Sequence, residues 1–282
     1  MKNVRTAADK LLNGFTLKTH YIPGTELGDD RRVRVLLPRY YNEEQDNYPV
    51  VYMLDGQNLF YDEESFAGIS WRVSETLHQY PDLPGMIIVG IDNSHDRLNE
   101  YSPWPMEPVG YSSEYEGIGG GGVAHAEYIM ETVKPFIDKT YRTISDKNHT
   151  VVAGSSLGGT MTAYVGIKYK DQVGGLGVFS LANQLFRRNF QGFLAAHEVD
   201  TEQKVYIQVG TDEIESSEHT EEEQQLARQD YVNCTLDYYH DLLLKGIRIE
   251  NTDLNVFVGE THNEKYWAKH LSDCLRFLTQ EW

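Results

Sequence analysis

A serine set between glycines at the end of a strand-like run carries the chemistry of this 282-residue chain. Gly154-Ser155-Ser156-Leu157-Gly158 follows His149-Thr150-Val151-Val152-Ala153 and opens a helix-like stretch. A serine hydroxyl is a weak nucleophile until a base removes its proton. A sharp strand-to-helix turn holds such an oxygen out where a base and a carbonyl carbon can both reach it. Gly154 and Gly158 leave room for that turn, and Gly159 extends the allowance into the first helical turn. With 24 glycines in the chain, a bare G-x-S-x-G match says little. The strand before it and the helix after it make Ser156 a candidate nucleophile.

A nucleophile elbow of this kind requires an acid after a later strand and a histidine after the last one, in the order Ser, Asp or Glu, His. Lys204-Val205-Tyr206-Ile207-Gln208-Val209 reads as a strand, being rich in β-branched and aromatic residues, and it ends in Gly210-Thr211-Asp212-Glu213. Leu254-Asn255-Val256-Phe257-Val258 is another, followed by Gly259-Glu260-Thr261-His262. Three required residue types thus fall in the required order. Asp212 and Glu213 both remain candidates for the acid, which must accept the second ring N–H of His262. Glu213, three positions after Gly210, is preferred, with Asp212 as the alternative.

Attack on an ester carbonyl creates an oxyanion, which preorganised backbone N–H groups stabilise. One donor comes with the elbow, the amide of Leu157. The second is expected from the loop after an early strand, here Asp55-Gly56-Gln57-Asn58, with the amide of Gln57 as candidate and Asn58 next in line.

These residues need a scaffold, and the pattern supplies eight strand candidates. Phe15 to Ile22 and Arg32 to Leu37 lie close together across Pro23, Gly24 and Gly28, so an antiparallel pair is expected. Val50 to Leu54, Met86 to Ile91, Val151 to Gly154, Leu176 to Phe179, Val205 to Val209 and Leu254 to Val258 are short apolar runs, mostly separated by helix-sized segments, as buried parallel strands are. Helices are expected over Val73 to Gln79, Ala124 to Lys139, Leu157 to Lys170, Glu222 to Leu244 and Glu264 to Leu278, covering both faces of the sheet.

Several runs taken together resemble the putative-esterase family of α/β-hydrolases. They are Tyr52-Met53-Leu54-Asp55-Gly56-Gln57-Asn58-Leu59-Phe60, Ser65-Phe66-Ala67-Gly68-Ile69-Ser70-Trp71, Val89-Gly90-Ile91-Asp92-Asn93, Glu100-Tyr101-Ser102-Pro103-Trp104 and Ala153 to Gly159. That family includes enterochelin-type siderophore esterases, feruloyl and acetyl-xylan esterases and S-formylglutathione hydrolases, and the Asp-Gly-Gln-Asn and Glu-Tyr-Ser-Pro-Trp runs look most like its enterochelin-esterase-like branch. The resemblance implies an α/β-hydrolase fold with a mostly parallel eight-stranded sheet. It also implies carboxylic-ester hydrolysis through Ser156 and His262, with Glu213 as the acid and the Gly56-Gln57 loop at the oxyanion. Two stretches depart from it. Relatives often carry Ser-Pro and aromatics where this chain reads Leu181-Ala182-Asn183-Gln184-Leu185-Phe186, and an acidic residue where Val123-Ala124-His125 follows the glycine run.

Composition bounds what surrounds the site. No Pro/Gly/Ser-rich linker divides the chain, so one domain over residues 1–282 is expected. Hydrophobic residues make up 40%, and no apolar run approaches the roughly 20 residues that cross a bilayer. The first ten residues have no apolar h-region, so a cytoplasmic location is expected. A net charge of -18 repels nucleic-acid backbones and anionic membranes. Cys234 and Cys274 form neither a disulfide framework nor a zinc motif. No cofactor or metal is expected; the partner is a small-molecule ester, and a homo-oligomer is an open possibility. The 12% aromatic content and the acidic surface favour a neutral or aromatic acyl group.

Other features have plainer readings. Gly117-Ile118-Gly119-Gly120-Gly121-Gly122 fits G-x-G-x-x-G but follows no strand, and reads as a flexible loop near the site's mouth. His219 beside Glu218 and Glu221 lacks metal-ligand spacing; with Glu215, Glu222 and Glu223 it reads as solvated charge opening a helix. Trp71, Tyr101, Trp104 and Trp267 read as packing. Arg97 and Glu100 are expected to pair with each other. The alternatives to a serine esterase are a thioesterase or S-formylglutathione hydrolase using the same machinery, and a non-catalytic binding protein on the same fold.

Overall fold

Alternate residues of the central strands point to opposite faces, and both faces are apolar, as a sheet covered on both sides requires. In the computed structural model, which describes residues 4–24, 28–111, 113–214 and 220–282, Val50, Tyr52 and Leu54 enter one buried cluster while Val51 and Met53 enter the other. The strands are β1 (Arg5–Thr6), β2 (Lys10–Leu12), β3 (Phe15–Ile22), β4 (Arg31–Leu37), β5 (Val50–Leu54), β6 (Ile87–Ile91), β7 (Thr150–Ser155), β8 (Gly175–Phe179), β9 (Lys204–Asp212) and β10 (Thr252–Thr261). They form one ten-stranded sheet in the order β1-β3-β4-β6-β5-β7-β8-β9-β10, with β2 also paired to β3. From β6 to β10 every pairing is parallel; β1 to β4 join by antiparallel pairings, including β3 with β4. The eight strands marked by the sequence are all present. β1 and β2 extend the count, and their two and three mostly exposed residues give no alternation to read.

The helices are α1 (Val73–Gln79), α2 (Arg97–Glu100), α3 (Gly122–Glu127), α4 (Lys134–Thr140), α5 (Leu157–Lys168), α6 (Arg187–Ala196), α7 (Glu221–Leu244) and α8 (Glu264–Leu278). The helix expected over Ala124 to Lys139 is α3 and α4 joined by a widened turn at Tyr128–Val133. Pro135, early in α4, has no N–H to continue the regular ladder there. α1 and α8 bury Val73, Trp267, Leu271 and Leu275 on one face of the sheet. α5 to α7 bury Met161, Val165, Leu194 and Tyr238 on the other. α6 was not marked by the sequence: Gly192 interrupts a short amphipathic run in which Phe190 and Leu194 are the buried residues.

Thr220 caps α7 through a reciprocal pair with Glu223, which places Glu221 to Glu223 in its first turn, where acidic residues suit the helix dipole. Glu215, Glu218 and His219 lie outside the described residues. The glycine run is packed at Gly119, Gly121 and Gly122 and open at Gly117 and Gly120. A Cβ on Gly119, at φ 121°, would sit 2.5 Å from the Trp104 carbonyl oxygen, and Gly122 begins α3 against Pro103. Cys234 and Cys274 are buried free thiols. Among the described residues no helix is long and apolar enough to cross a membrane.

Candidate active site

Parallel strands deliver the residues that follow them to one edge of the sheet. β5, β7, β8, β9 and β10 are spatial neighbours in that order, and they end at Asp55, Ser156, Ser180, Glu213 and His262. Ser156 sits between β7 and α5 with φ 60° and ψ -128°, a strained conformation for a non-glycine residue. The strain is enforced by packing. A Cβ on Gly154 would lie 2.6 Å from the carbonyl oxygen of Gly158, so only glycine lets the turn close this tightly. The Ser156 N–H donates to the Phe179 carbonyl (3.0 Å), and its own carbonyl accepts from Ala182 (3.3 Å). The half-buried Ser156 is thereby fixed to the segment after β8.

That segment reaches the acid and the histidine. The Glu213 side chain is fully buried, at 0% exposure, and its Oε2 accepts from His262 Nδ1 at 2.6 Å. Its Oε1 accepts from the Gly210 N–H (2.6 Å) and from Ser180 Oγ (2.7 Å). Ser180, at φ 44°, in turn accepts from Trp267 Nε1 (3.0 Å). Asp212 ends β9, and Glu213 rather than Asp212 bonds the His262 ring. β10 runs past the expected Val258 to Thr261, with a register shift between Phe257 and Thr261 and Gly259 at φ 79°. A bulge of this kind re-aims the residues that follow it. The His262 ring lies between Trp267, edge-on at 5.0 Å, and Tyr231 at 5.2 Å. Glu213 and His262 are therefore in direct contact, and Ser156 is joined to them through Phe179 to Ala182.

The loop after β5 is braced from two sides. Asp55 adopts a left-handed conformation (φ 54°) and leads into a single tight turn at Gly56–Asn58. Its carboxylate is held by Arg97 through Nε (2.7 Å) and Nη2 (2.8 Å) and by Asn93 Nδ2 (2.6 Å), while Gln57 Oε1 accepts from the Asn93 N–H (3.2 Å). On the other side, Asn58 Nδ2 donates to the buried Glu264 (3.0 Å), the first residue of α8. The amides of Gln57 and Leu157 donate to no acceptor among the described residues.

This arrangement corrects one expectation. Arg97 does not pair with Glu100: Glu100 binds Arg31 and Ser94, inside the fold, and Arg97 turns to Asp55. Residues three apart meet reliably only on one face of a sustained helix, and α2 has a single turn. Burial works against the Arg97 charge, yet the Asp55 carboxylate raises its pKa above the ordinary arginine value. Burial, reinforced by the Asp55 charge, raises the pKa of Glu264. Trp71, Tyr101 and Trp267 are buried as packing residues, and Trp104 stacks edge-on against Tyr164 and Phe190. Ser180, Glu264 and Asn93 were not singled out by sequence, since no local spacing links them to the partners they hold. Among the described residues no cluster of His, Cys, Asp or Glu is disposed to hold a metal ion.

Comparisons with known proteins bear on the family and the fold. The family model described as "Putative esterase" matches residues 24–278. The curated protein YbbA of Bacillus subtilis, itself described as uncharacterized, is 26% identical over 250 residues, covering 88% of this chain and 92% of its own. Among solved structures, an IroE-like serine hydrolase from Shewanella oneidensis superposes with a TM-score of 0.71 at 18% identity, covering 93% of this chain and 79% of that one. The siderophore hydrolase EstA from Aspergillus nidulans gives 0.70 at 20% identity, with 94% of each chain covered. At such identities these two show a common α/β-hydrolase fold.

Two outcomes follow from the braces. Arg97→Ala releases Asp55 and the loop it fixes, so kcat for an ester substrate falls by about a hundredfold with a smaller change in KM, while circular dichroism stays that of the folded protein. Glu264→Gln tests the raised carboxyl pKa. An acid whose folded pKa exceeds its unfolded one stabilises the fold below the unfolded pKa, and that contribution is lost as pH rises through the folded pKa. The glutamine variant, which keeps an acceptor for Asn58 and removes the charge near Asp55, His262 and Arg97, melts at a higher temperature than wild type at neutral pH. The gap closes on acidification.

Proposed function

Because the chain belongs to the putative esterase family and is a carboxylic ester hydrolase, we propose that it works as a serine esterase on a single α/β-hydrolase domain, through Ser156, His262 and Glu213. The observation that carries the reading is the fully buried Glu213 carboxylate bonded to His262 Nδ1 at 2.6 Å, beside a strained Ser156 at the same sheet edge. That bond fixes the ring so that Nε2 is left as the base.

Ser156 Oγ attacks the ester carbonyl carbon as His262 Nε2 takes the hydroxyl proton. Negative charge moves onto the carbonyl oxygen, where the unengaged amides of Leu157 and Gln57 donate to it, and the α5 N-terminus adds a favourable field. Glu213 stabilises the imidazolium without itself taking the proton. When the carbon–oxygen bond to the alcohol breaks, His262 delivers its proton to the leaving oxygen, and an acyl group remains on Ser156. A water molecule, deprotonated by His262, then attacks the acyl carbon. The carboxylic acid departs, and the proton returns to Ser156. Every step uses groups of this chain and water alone.

A small ester with a neutral or aromatic acyl group suits the acidic protein surface. The likeness to a siderophore hydrolase extends the substrates worth assaying without selecting among them.

The test is steady-state hydrolysis of p-nitrophenyl acetate, butyrate and octanoate, with matched thioesters in parallel. Ser156→Ala is expected to lower kcat by about a millionfold and Glu213→Gln by about ten-thousandfold, while Asp212→Asn stays close to wild type. Equal losses in the two acid variants would reassign the acid. Turnover indifferent to Ser156 would overturn the mechanism, and faster acyl transfer from the thioesters would make the protein a thioesterase.

A further inference from the structure

The residue that begins the loop after β5 has each of its polar groups engaged. The Asp55 N–H donates to Tyr101 Oη at 3.0 Å, its carbonyl accepts from the Asn58 N–H at 2.8 Å, and its carboxylate is held by Arg97 and Asn93. Two of these holds run through Tyr101, whose side chain is fully buried. The Tyr101 N–H donates to the Arg97 carbonyl (2.9 Å), closing the turn of α2, and the Arg97 guanidinium lies over the tyrosine ring at 4.8 Å. The buried ring of His125, neither of whose nitrogens has a hydrogen-bond partner among the described residues, packs against it at 4.9 Å. The nucleophile turn meets the same side chain. A Cβ on Gly158, two residues after Ser156, would lie 3.7 Å from Tyr101 Cε2 and 3.4 Å from Asp55 Oδ2.

We propose that Tyr101 is a positioning residue for the Ser156 mechanism above, on which this inference rests: its hydroxyl, acting through Asp55, holds the Gln57 amide in register with the Leu157 amide. A phenyl ring would fill the same space, so packing alone leaves the hydroxyl without a role. Asp55 keeps a left-handed conformation at φ 54°, which a non-glycine residue holds only where its surroundings over-determine it. It is buried, at 4% exposure, so water is a poor substitute for the phenolic acceptor. Removing that oxygen leaves a buried N–H that finds another acceptor only by turning the peptide between Leu54 and Asp55. Gly56 is pressed against β6, where a Cβ would come within 2.6 Å of the Gly90 carbonyl carbon, so the loop has no slack to absorb the turn. The Gln57 amide moves with it. A donor displaced by about 1 Å loses much of its hold on a developing oxyanion, while ground-state binding is spared.

Steady-state kinetics on p-nitrophenyl acetate separate positioning from packing. Tyr101→Phe keeps the ring and removes the hydroxyl; kcat is expected to fall by at least about tenfold, with KM within about twofold of wild type. A trifluoromethyl ketone, whose Ser156 adduct places an oxyanion between the same two amides, should bind more weakly by about the same factor as the loss in kcat/KM. Because Tyr101 and Arg97 both act on Asp55, the double variant with Arg97→Ala loses little more than Arg97→Ala alone, rather than the product of the two losses. Wild-type kcat in a folded Tyr101→Phe, a loss confined to KM, or multiplicative losses in the double variant would each overturn the proposal. Should Tyr101→Phe fail to fold, 3-fluorotyrosine at position 101 decides by the same split between kcat and KM. Burial and the Asp55 charge hold the Tyr101 phenol well above its ordinary pKa, so the fluorinated ring stays neutral and its oxygen is a weaker acceptor in nearly the same volume. Turnover that survives Ser156→Ala contradicts the catalytic reading itself, which tells that failure apart from a failure of Tyr101 alone.

Discussion

A carboxylate with none of its side chain exposed is costly to fold unless donors replace the water it loses, and the organisation of the site follows from how Glu213 meets that requirement. Three donors reach it: the backbone N–H of Gly210 on its own strand, the hydroxyl of Ser180 after β8, and the ring of His262 after β10. One buried carboxyl group thus ties three adjacent strand ends together. Trp267 of α8 completes the arrangement by donating to Ser180 while its ring meets the imidazole edge-on. The residue that orients the histidine is itself oriented, so the proposed mechanism needs no reorganisation when the imidazole takes up a proton.

The other half of the site rests on packing rather than charge. Gly154 and Gly158 meet backbone to backbone, and the chain between them turns through Ser156 in a conformation that a looser turn would relax. Across the neighbouring strand, the loop at Asp55 is held by Arg97 and Asn93 on one side and by Glu264 on the other. Glu264 stands two residues from His262 in sequence, so the segment that presents the proposed base also steadies the loop proposed to bind the oxyanion.

Much of this was legible in the sequence because strand and helix periods, and the order Ser, acid, His, are local or ordinal properties of the chain. The buried parallel strands declare themselves as short apolar runs, and the offset after Gly210 and the family resemblance both point to Glu213. What escaped reading is nonlocal. Proximity in the chain points Arg97 to Glu100, three positions away, whereas its partner Asp55 lies 42 positions away in the sequence, and nothing in either neighbourhood encodes that approach. Ser180 ends an ordinary strand, and its bond to Glu213 spans 33 positions. The strand ends shifted for a physical reason as well: the bulge at Gly259 lets pairing resume at Thr261, which no alternation pattern announces. β1 and β2 are too short and too exposed for periodicity to show.

The central claim is that an acyl group passes through Ser156 under the control of His262 and Glu213. Rapid-quench intact-mass measurement with an excess of p-nitrophenyl ester, followed by peptide mapping, reads that intermediate directly. The account predicts a mass increase equal to the acyl group, localised to the peptide containing Ser156, formed within the first turnover by the wild type and strongly slowed in His262→Ala. An ester hydrolysed at full rate with no acyl adduct at any quench time, or an adduct mapped to another residue, would contradict it.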